Sequence, residues 1–140
     1  MQIYQDTLQI STHGRNTYNI THEVDKIIQQ SGISTGLCHV FIHHTSASLI
    51  ITENADPDVR HDLETIFSRL APDADPAYRH ILEGADDMSA HVRNVLTQTE
   101  ITLPVSRGHS AMGTWQGLFL WEHRTGRFSR KLTVTVTGKT

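Results

Sequence analysis

The sequence has 140 residues, 37% of them hydrophobic and 19% charged, the balance of one globular domain with no room for two of ordinary size. Twelve basic residues against fifteen acidic ones give a net charge of −3, which argues against a broad nucleic-acid footprint. The single cysteine, Cys38, excludes an internal disulfide and any multi-cysteine zinc or iron–sulfur centre.

The first segment, Met1 to Asp6, has neither a basic start nor an apolar stretch, so no signal peptide is expected. Ile3 to Ile10 reads as a half-exposed strand, and His13-Gly14-Arg15-Asn16 as a turn. Thr21 is placed to cap a helix with Val24, Ile27 and Ile28 on one face, ending at Ser31-Gly32. Gly36 opens a strand from Leu37 to Thr45, and Ser48 to Thr52 continues as another. Asp56-Pro57 marks a helix start, followed by Val59, Leu63, Ile66, Phe67 and Leu70 at helical spacing until Pro72 stops the run. Ala71 to Pro76 is a polar loop. Asp87 or Ser89 caps a short helix expected to turn Val92, Val95 and Leu96 inward. Strands are predicted from Ile101 to Val105, Trp115 to Glu122 and Phe128 to Thr137, punctuated by glycines. This order gives an α+β fold with a mostly antiparallel sheet, not a βαβ repeat. The longest apolar run, Leu118 to Trp121, falls far short of the ~20 residues that span a bilayer. A cytoplasmic protein without membrane or nucleic-acid partners is the expectation.

Ten histidines outnumber phenylalanine, tyrosine and tryptophan combined, and histidine is both a metal ligand and an acid or base near neutral pH. Three segments concentrate such chemistry. The first is His43-His44-Thr45-Ser46-Ala47-Ser48, leading to Glu53. On a regular strand the adjacent histidines point to opposite faces, so only one of them meets a given pocket. The second is Asp86-Asp87-Met88-Ser89-Ala90-His91, where Asp87 and His91 are four apart and share a helix face. A carboxylate beside an imidazole suits a divalent metal or an acid–base pair; ordinary capping with a solvated His91 is the plain alternative. The third is Gly113-Thr114-Trp115-Gln116, running to Trp121-Glu122-His123-Arg124. Trp115, Phe119 and Trp121 alternate with a face on which Gln116 and Glu122 accompany leucines, a costly pattern to bury without partners. Arg124, Arg127, Arg130 and Lys131 follow and can hold phosphate, or can be solvated. Cys38, between Leu37 and His39, reads as a small core residue. No Walker or Rossmann glycine loop and no Gly-x-Ser-x-Gly elbow is present.

Taken together, these segments resemble the YjbQ family, also called the secondary thiamine-phosphate synthase family, along essentially the whole chain from residue 1 to 140. The resemblance implies a compact β-sandwich-like α+β domain, a homotrimer, and a histidine-rich pocket near the subunit interface. The activity it implies joins hydroxymethylpyrimidine diphosphate to thiazole phosphate with release of diphosphate. The Val105 to Met112 segment departs from the more aliphatic stretch of many relatives, so the resemblance assigns no role to Arg107 or His109.

Under this reading His44, Ser46, His91 and Glu122 are the catalytic candidates. Thr45, Glu53, Trp115, Gln116 and Arg130 are candidates for binding a phosphorylated small molecule, and His43, Asp87 and His91 for holding a metal. Imidazole plus carboxylate fits zinc, manganese, nickel or iron, whereas a diphosphate substrate prefers magnesium. A metal-dependent phosphoester hydrolase and a non-catalytic small-molecule-binding trimer fit the same residues.

Overall fold

The computed structural model describes residues 1–140, which form eight strands and three helices. The strands are β1 (Gln2–His13), β2 (Asn16–Asn19), β3 (Thr35–Ile42), β4 (Ala47–Glu53), β5 (Glu100–Ser106), β6 (His109–Ser110), β7 (Gln116–Glu122) and β8 (Arg127–Lys139). The helices are α1 (Thr21–Ser31), α2 (Pro57–Leu70) and α3 (Asp87–Leu96). All strand pairs are antiparallel, in a five-stranded sheet ordered β1-β8-β3-β5-β6 and a three-stranded sheet ordered β2-β7-β4. The fold is α+β, as the order of elements predicts. No helix is long and apolar enough to cross a membrane.

Alternation builds the core. Leu132, Val134 and Val136 of β8, Cys38, Val40 and Ile42 of β3, and Ile101, Leu103 and Val105 of β5 form the inner face of the larger sheet. Leu49, Leu118 and Leu120 answer from the smaller sheet, and Val24, Ile27 and Ile28 of α1 close the cluster. Cys38 is fully buried, and burial pushes its thiol up to about 12, which fits the core role. Gly36 and Gly138 face each other across β3 and β8. A Cβ on Gly36 would lie 1.9 Å from the Thr137 carbonyl oxygen, and one on Gly138 2.1 Å from that of Thr35. Only glycine permits this approach.

Several boundaries differ from the sequence reading, each for a local reason. Thr21 does not cap α1. The Asn19 side chain accepts from the Thr21 N–H instead, and the Thr21 hydroxyl accepts from the Leu118 N–H at 2.9 Å, tying the helix start to β7. The turn after β1 closes at Gly14, whose φ of +92° suits glycine, and β2 follows at once. That strand has no apolar alternation, and it pairs with β7 rather than β1. β3 ends at Ile42, not Thr45, because residues 43–46 cross from the larger sheet to the smaller. Asp56 does cap α2, its carboxylate accepting from the Asp58 N–H at 2.9 Å.

The largest difference lies in α3. Val95 is 80% exposed and Leu96 54%, while Asp87, Ser89, Ala90, Arg93 and Asn94 face inward. The cap position belongs to Asp86. The inward face is polar because it meets polar partners. Arg93 donates to both oxygens of Glu64 on α2, and the Asn94 amide donates to the His44 and Ala47 carbonyls. A helix seated on backbone carbonyls and carboxylates hides its polar side, and apolar periodicity then points the wrong way.

Candidate metal centre and its surroundings

The start of α3 and the irregular segment before it bring three groups together. His80 Nε2 donates to Asp87 Oδ2 at 2.7 Å, and His91 Nε2 lies 3.2 Å from the same oxygen. The ligand atoms of His80, Asp87 and His91 all lie within 4.8 Å of one another, a geometry that can hold one cation. The other Asp87 oxygen accepts from Arg124 Nη1 at 3.0 Å, which fixes the carboxylate plane and presents Oδ2 to the histidines. Burial opposes ionisation of Asp87, but His80, His91 and Arg124 outweigh it and hold the carboxyl below its ordinary range.

Asp86 turns the other way. Its Oδ2 accepts from the Thr125 backbone N–H at 2.8 Å, the Thr125 hydroxyl and Arg124 Nε. Burial raises its pKa, but these donors outweigh burial and bring the carboxyl down to about 2. The adjacent aspartates thus divide their work. Asp86 anchors α3 to the β7–β8 turn, and Asp87 serves the histidines.

His91 has a second contact. Its Nδ1 lies 3.0 Å from the carbonyl oxygen of Thr45 in the crossover segment. A carbonyl only accepts, so Nδ1 carries the hydrogen. In the neutral ring Nε2 then turns a lone pair toward Asp87 Oδ2, itself a lone-pair donor. That contact calls for a positive charge, either a second proton or a cation. A ring N–H given to a backbone carbonyl is also how a metal-ligating histidine is oriented.

The remaining sequence candidates separate into distinct places. His43 is exposed, with Nε2 2.7 Å from the Thr133 hydroxyl, and it lies outside the group of His80, Asp87 and His91 whose ligand atoms converge. The crossover ends the strand alternation at this point, and the half-buried His44 accepts the Lys131 N–H on Nε2 at 2.8 Å. Burial and the Arg130 charge lower its pKa, so His44 is held neutral. Glu122 is fully buried and Arg130 nearly so. Arg130 Nε donates to Glu122 Oε1 at 2.7 Å, its Nη2 bonds Glu122 and the Ser46 hydroxyl, and the Thr12 hydroxyl donates to Glu122 at 2.6 Å. Arg130, Glu122 and Ser46 therefore form a satisfied ion-pair network between the two sheets, not a free phosphate grip. Buried glutamate among leucines does carry a partner, as its cost requires.

Glu53, Trp115 and Gln116 lie at the opposite end of the smaller sheet. The register pairs Glu53 with Gln116 and Ala47 with Glu122, which puts the length of a seven-residue strand between them, about 20 Å. Glu53 accepts from the Asp56 N–H, Gln116 from the Gly113 N–H, and Trp115 is 65% exposed. Phe119 and Trp121 are the aromatic face in fact, covered by Arg60 and Phe67 of α2.

Sequence reasoning gives no role to two residues that the structure singles out. His80 stands in an aperiodic segment, seven positions before Asp87, and no spacing rule singles it out. His123 is fully buried, with Nε2 2.7 Å from the Ser48 hydroxyl, and burial together with nearby arginines drives its pKa down to about 3.

A family model described as UPF0047 protein YjbQ-like matches residues 6–139. The chain belongs to the YjbQ family. It is 48% identical over 136 residues to a UPF0047 protein of Synechocystis, covering 97% of this chain and 92% of that protein. It is 42% identical over 137 residues to the UPF0047 protein YjbQ of Escherichia coli, covering 97% and 99%. Among solved structures, a YbjQ-like protein of unknown function from Sulfolobus solfataricus superposes with a TM-score of 0.90 at 28% identity, covering 99% of both chains. A conserved hypothetical protein from Thermus thermophilus superposes with a TM-score of 0.85 at 33% identity, covering 94% of this chain and 99% of that one. The YjbQ fold is thus shared along the full length.

Proposed function

We propose that His80, Asp87 and His91 hold one divalent transition-metal cation and that this YjbQ protein acts there on a phosphorylated small molecule. The observation that carries this reading is the His91 ring: Thr45 fixes its hydrogen on Nδ1, and Nε2 faces a carboxylate oxygen that Arg124 holds in place. Two imidazoles and one carboxylate favour manganese, iron, nickel or zinc over magnesium and leave coordination positions open. When bound, the cation would stabilise negative charge on a departing phosphate or diphosphate.

The reaction that the family resemblance suggests is the joining of a pyrimidine diphosphate to a thiazole phosphate with loss of diphosphate. In it, Asp87 and the two histidines would position the cation and Arg124 would keep Asp87 ionised. Because Arg130 is committed to Glu122, the phosphate would be met at the cation rather than by that guanidinium. The homotrimer is part of the same proposal. Leu37 is 53% exposed and Phe41 36% on the outer face of the larger sheet, apolar surface suited to a second copy. A neighbouring copy would also be needed to bring Trp115 and Gln116 toward the cation group.

Metal content of tag-free protein tests the reading, wild type beside His91→Ala and His80→Ala. One manganese, iron, nickel or zinc per chain, lost in both variants, is expected. A wild type that retains none after incubation with these ions overturns it. With metal in place, coupling of the two ring substrates would establish the transferase. Release of phosphate from simple phosphoesters without coupling would establish a hydrolase, and tight binding without turnover a binding protein.

A further inference from the structure

A cavity of about 450 Å³ lies between β2 and α2 and shares no residue with the cation group. The period of α2 turns Arg60, His61 and Glu64 to one wall, residues 15–17 form the other, and the buried Trp121 forms the floor. Its charges are not equally spent. Arg15 donates to both oxygens of Asp73 at 2.9 Å, and Glu64 accepts from Arg93 at 2.7 Å. His61, at the exposed rim, bonds Asp62.

Arg60 pairs with no carboxylate. Its Nη1 donates to the Glu53 carbonyl at 2.9 Å, and its guanidinium carbon lies 4.8 Å from the centroid of the Phe119 ring. These two contacts fix the guanidinium plane and leave its Nε–Nη2 edge without a protein acceptor. Two parallel N–H groups on one edge match the two oxygens of a carboxylate. One uncompensated positive charge calls for one negative charge in the ligand, and a phosphate dianion would bring a second against Glu64.

The rest of the ligand must be polar as well. Asn16 spends its Oδ1 on the Thr17 N–H and keeps its amide hydrogens, while the Thr17 hydroxyl and the Glu64 oxygens suit hydroxyl groups. An alkyl chain would strip water from these groups and return no hydrogen bond. An ammonium at Glu64 would meet Arg15, whose Nε lies 3.8 Å from that carboxylate.

We propose that this cavity binds a hydroxylated monocarboxylate of the sugar-acid class, its carboxylate on the free edge of Arg60 and its hydroxyls on Asn16, Thr17 and Glu64. The site is independent of the cation reading. The test is titration of chelator-treated, metal-free protein with gluconate, sorbitol, hexanoate and inorganic phosphate, followed by the Arg60 Nε–H and Trp121 indole N–H resonances. Two variants accompany wild type, Arg60→Gln and Asn16→Asp. Asn16 is exposed, and aspartate keeps the oxygen that accepts the Thr17 N–H, so this variant decides the matter even if Arg60→Gln folds poorly.

Gluconate is expected to shift both resonances and to bind with a dissociation constant of about 1 mM or tighter. Arg60→Gln should weaken it about tenfold or more, and Asn16→Asp about threefold or more. Sorbitol and hexanoate should bind far more weakly than gluconate. Absence of gluconate binding overturns the proposal, as does binding that both substitutions leave unchanged. Phosphate or hexanoate binding as tightly as gluconate overturns the sugar-acid assignment.

Discussion

Asp87 divides its oxygens between Arg124 on one side and two histidines on the other, and that division is what turns an ordinary helix start into a candidate metal centre. Arg124 is a positioning residue in this arrangement, since it touches the carboxylate and is not itself a ligand. Arg124→Gln is expected to weaken manganese affinity by about 10–100-fold, read by titration, while the same variant keeps its far-ultraviolet circular dichroism. Two other groups carry the largest shifts in the response to acid, beside the lowered His44, Asp73 and Asp87. His123 is buried and neutral, with its pKa depressed to about 3, so the unfolded chain takes up a proton that the folded one refuses. Its contribution is intact above the unfolded value near 6.5 and is lost as pH falls toward 3. Asp86, depressed to about 2, contributes fully above the unfolded value near 4 and loses that contribution between there and 2. Urea midpoints should therefore fall from pH 7 to pH 5, and His123→Gln should flatten that part of the profile. Asp86→Asn should flatten only the part below about pH 4. An unchanged slope in the His123 variant would show that other groups control the first step.

At the scale of elements, α3 is the piece that organises the site. It offers Asp87 and His91 from one face, and the same buried side carries Asn94, whose amide clamps the carbonyls of His44 and Ala47. The clamp fixes the crossover segment and with it the Thr45 carbonyl that orients His91. Asn94→Ala leaves buried carbonyls without a donor and should cost about 1–3 kcal/mol in urea unfolding. Val95→Ala, next along the helix and exposed, should change stability by less than about 0.5 kcal/mol. The reverse order would mean that α3 packs by its apolar side. α2 was the easier element to read. Asp56 and Pro57 announce it through backbone chemistry that needs no partner, whereas the inward face of α3 depends on Glu64, Arg124 and the crossover, all distant in sequence.

Across the whole molecule, the two sheets are joined by an apolar cluster and, beside its members Ala47 and Leu132, by the buried Arg130–Glu122 pair. Removing one partner strands a charge in the interior, so Glu122→Gln is expected to destabilise by about 3–5 kcal/mol in denaturant melts. A small effect would instead indicate that water reaches the pair. The sheet pairing also sets how far the candidate groups lie apart. The antiparallel register of β4 and β7 sends Trp115 and Gln116 to one end and Glu122 to the other, although seven positions or fewer separate them in sequence. Sedimentation equilibrium, with Phe41→Glu on the outer face as control, measures whether further copies bring those ends together. A trimer that the substitution dissociates is expected, and a wild-type monomer would leave Trp115 outside the site.

The sequence by itself determined the α+β class, the strands that alternate, the capped start of α2, the core role of Cys38 and the Asp87–His91 pairing. Each depends on a period, a cap or a spacing that acts within a few residues. Tertiary structure alone decided that His80 joins that pair, that His43 stands apart from it, and that Arg130 and Glu122 satisfy each other. Those outcomes follow from where two sheets and an aperiodic loop bring distant residues together, and the energy of a buried charge depends on the partner that arrives, not on its neighbours along the chain.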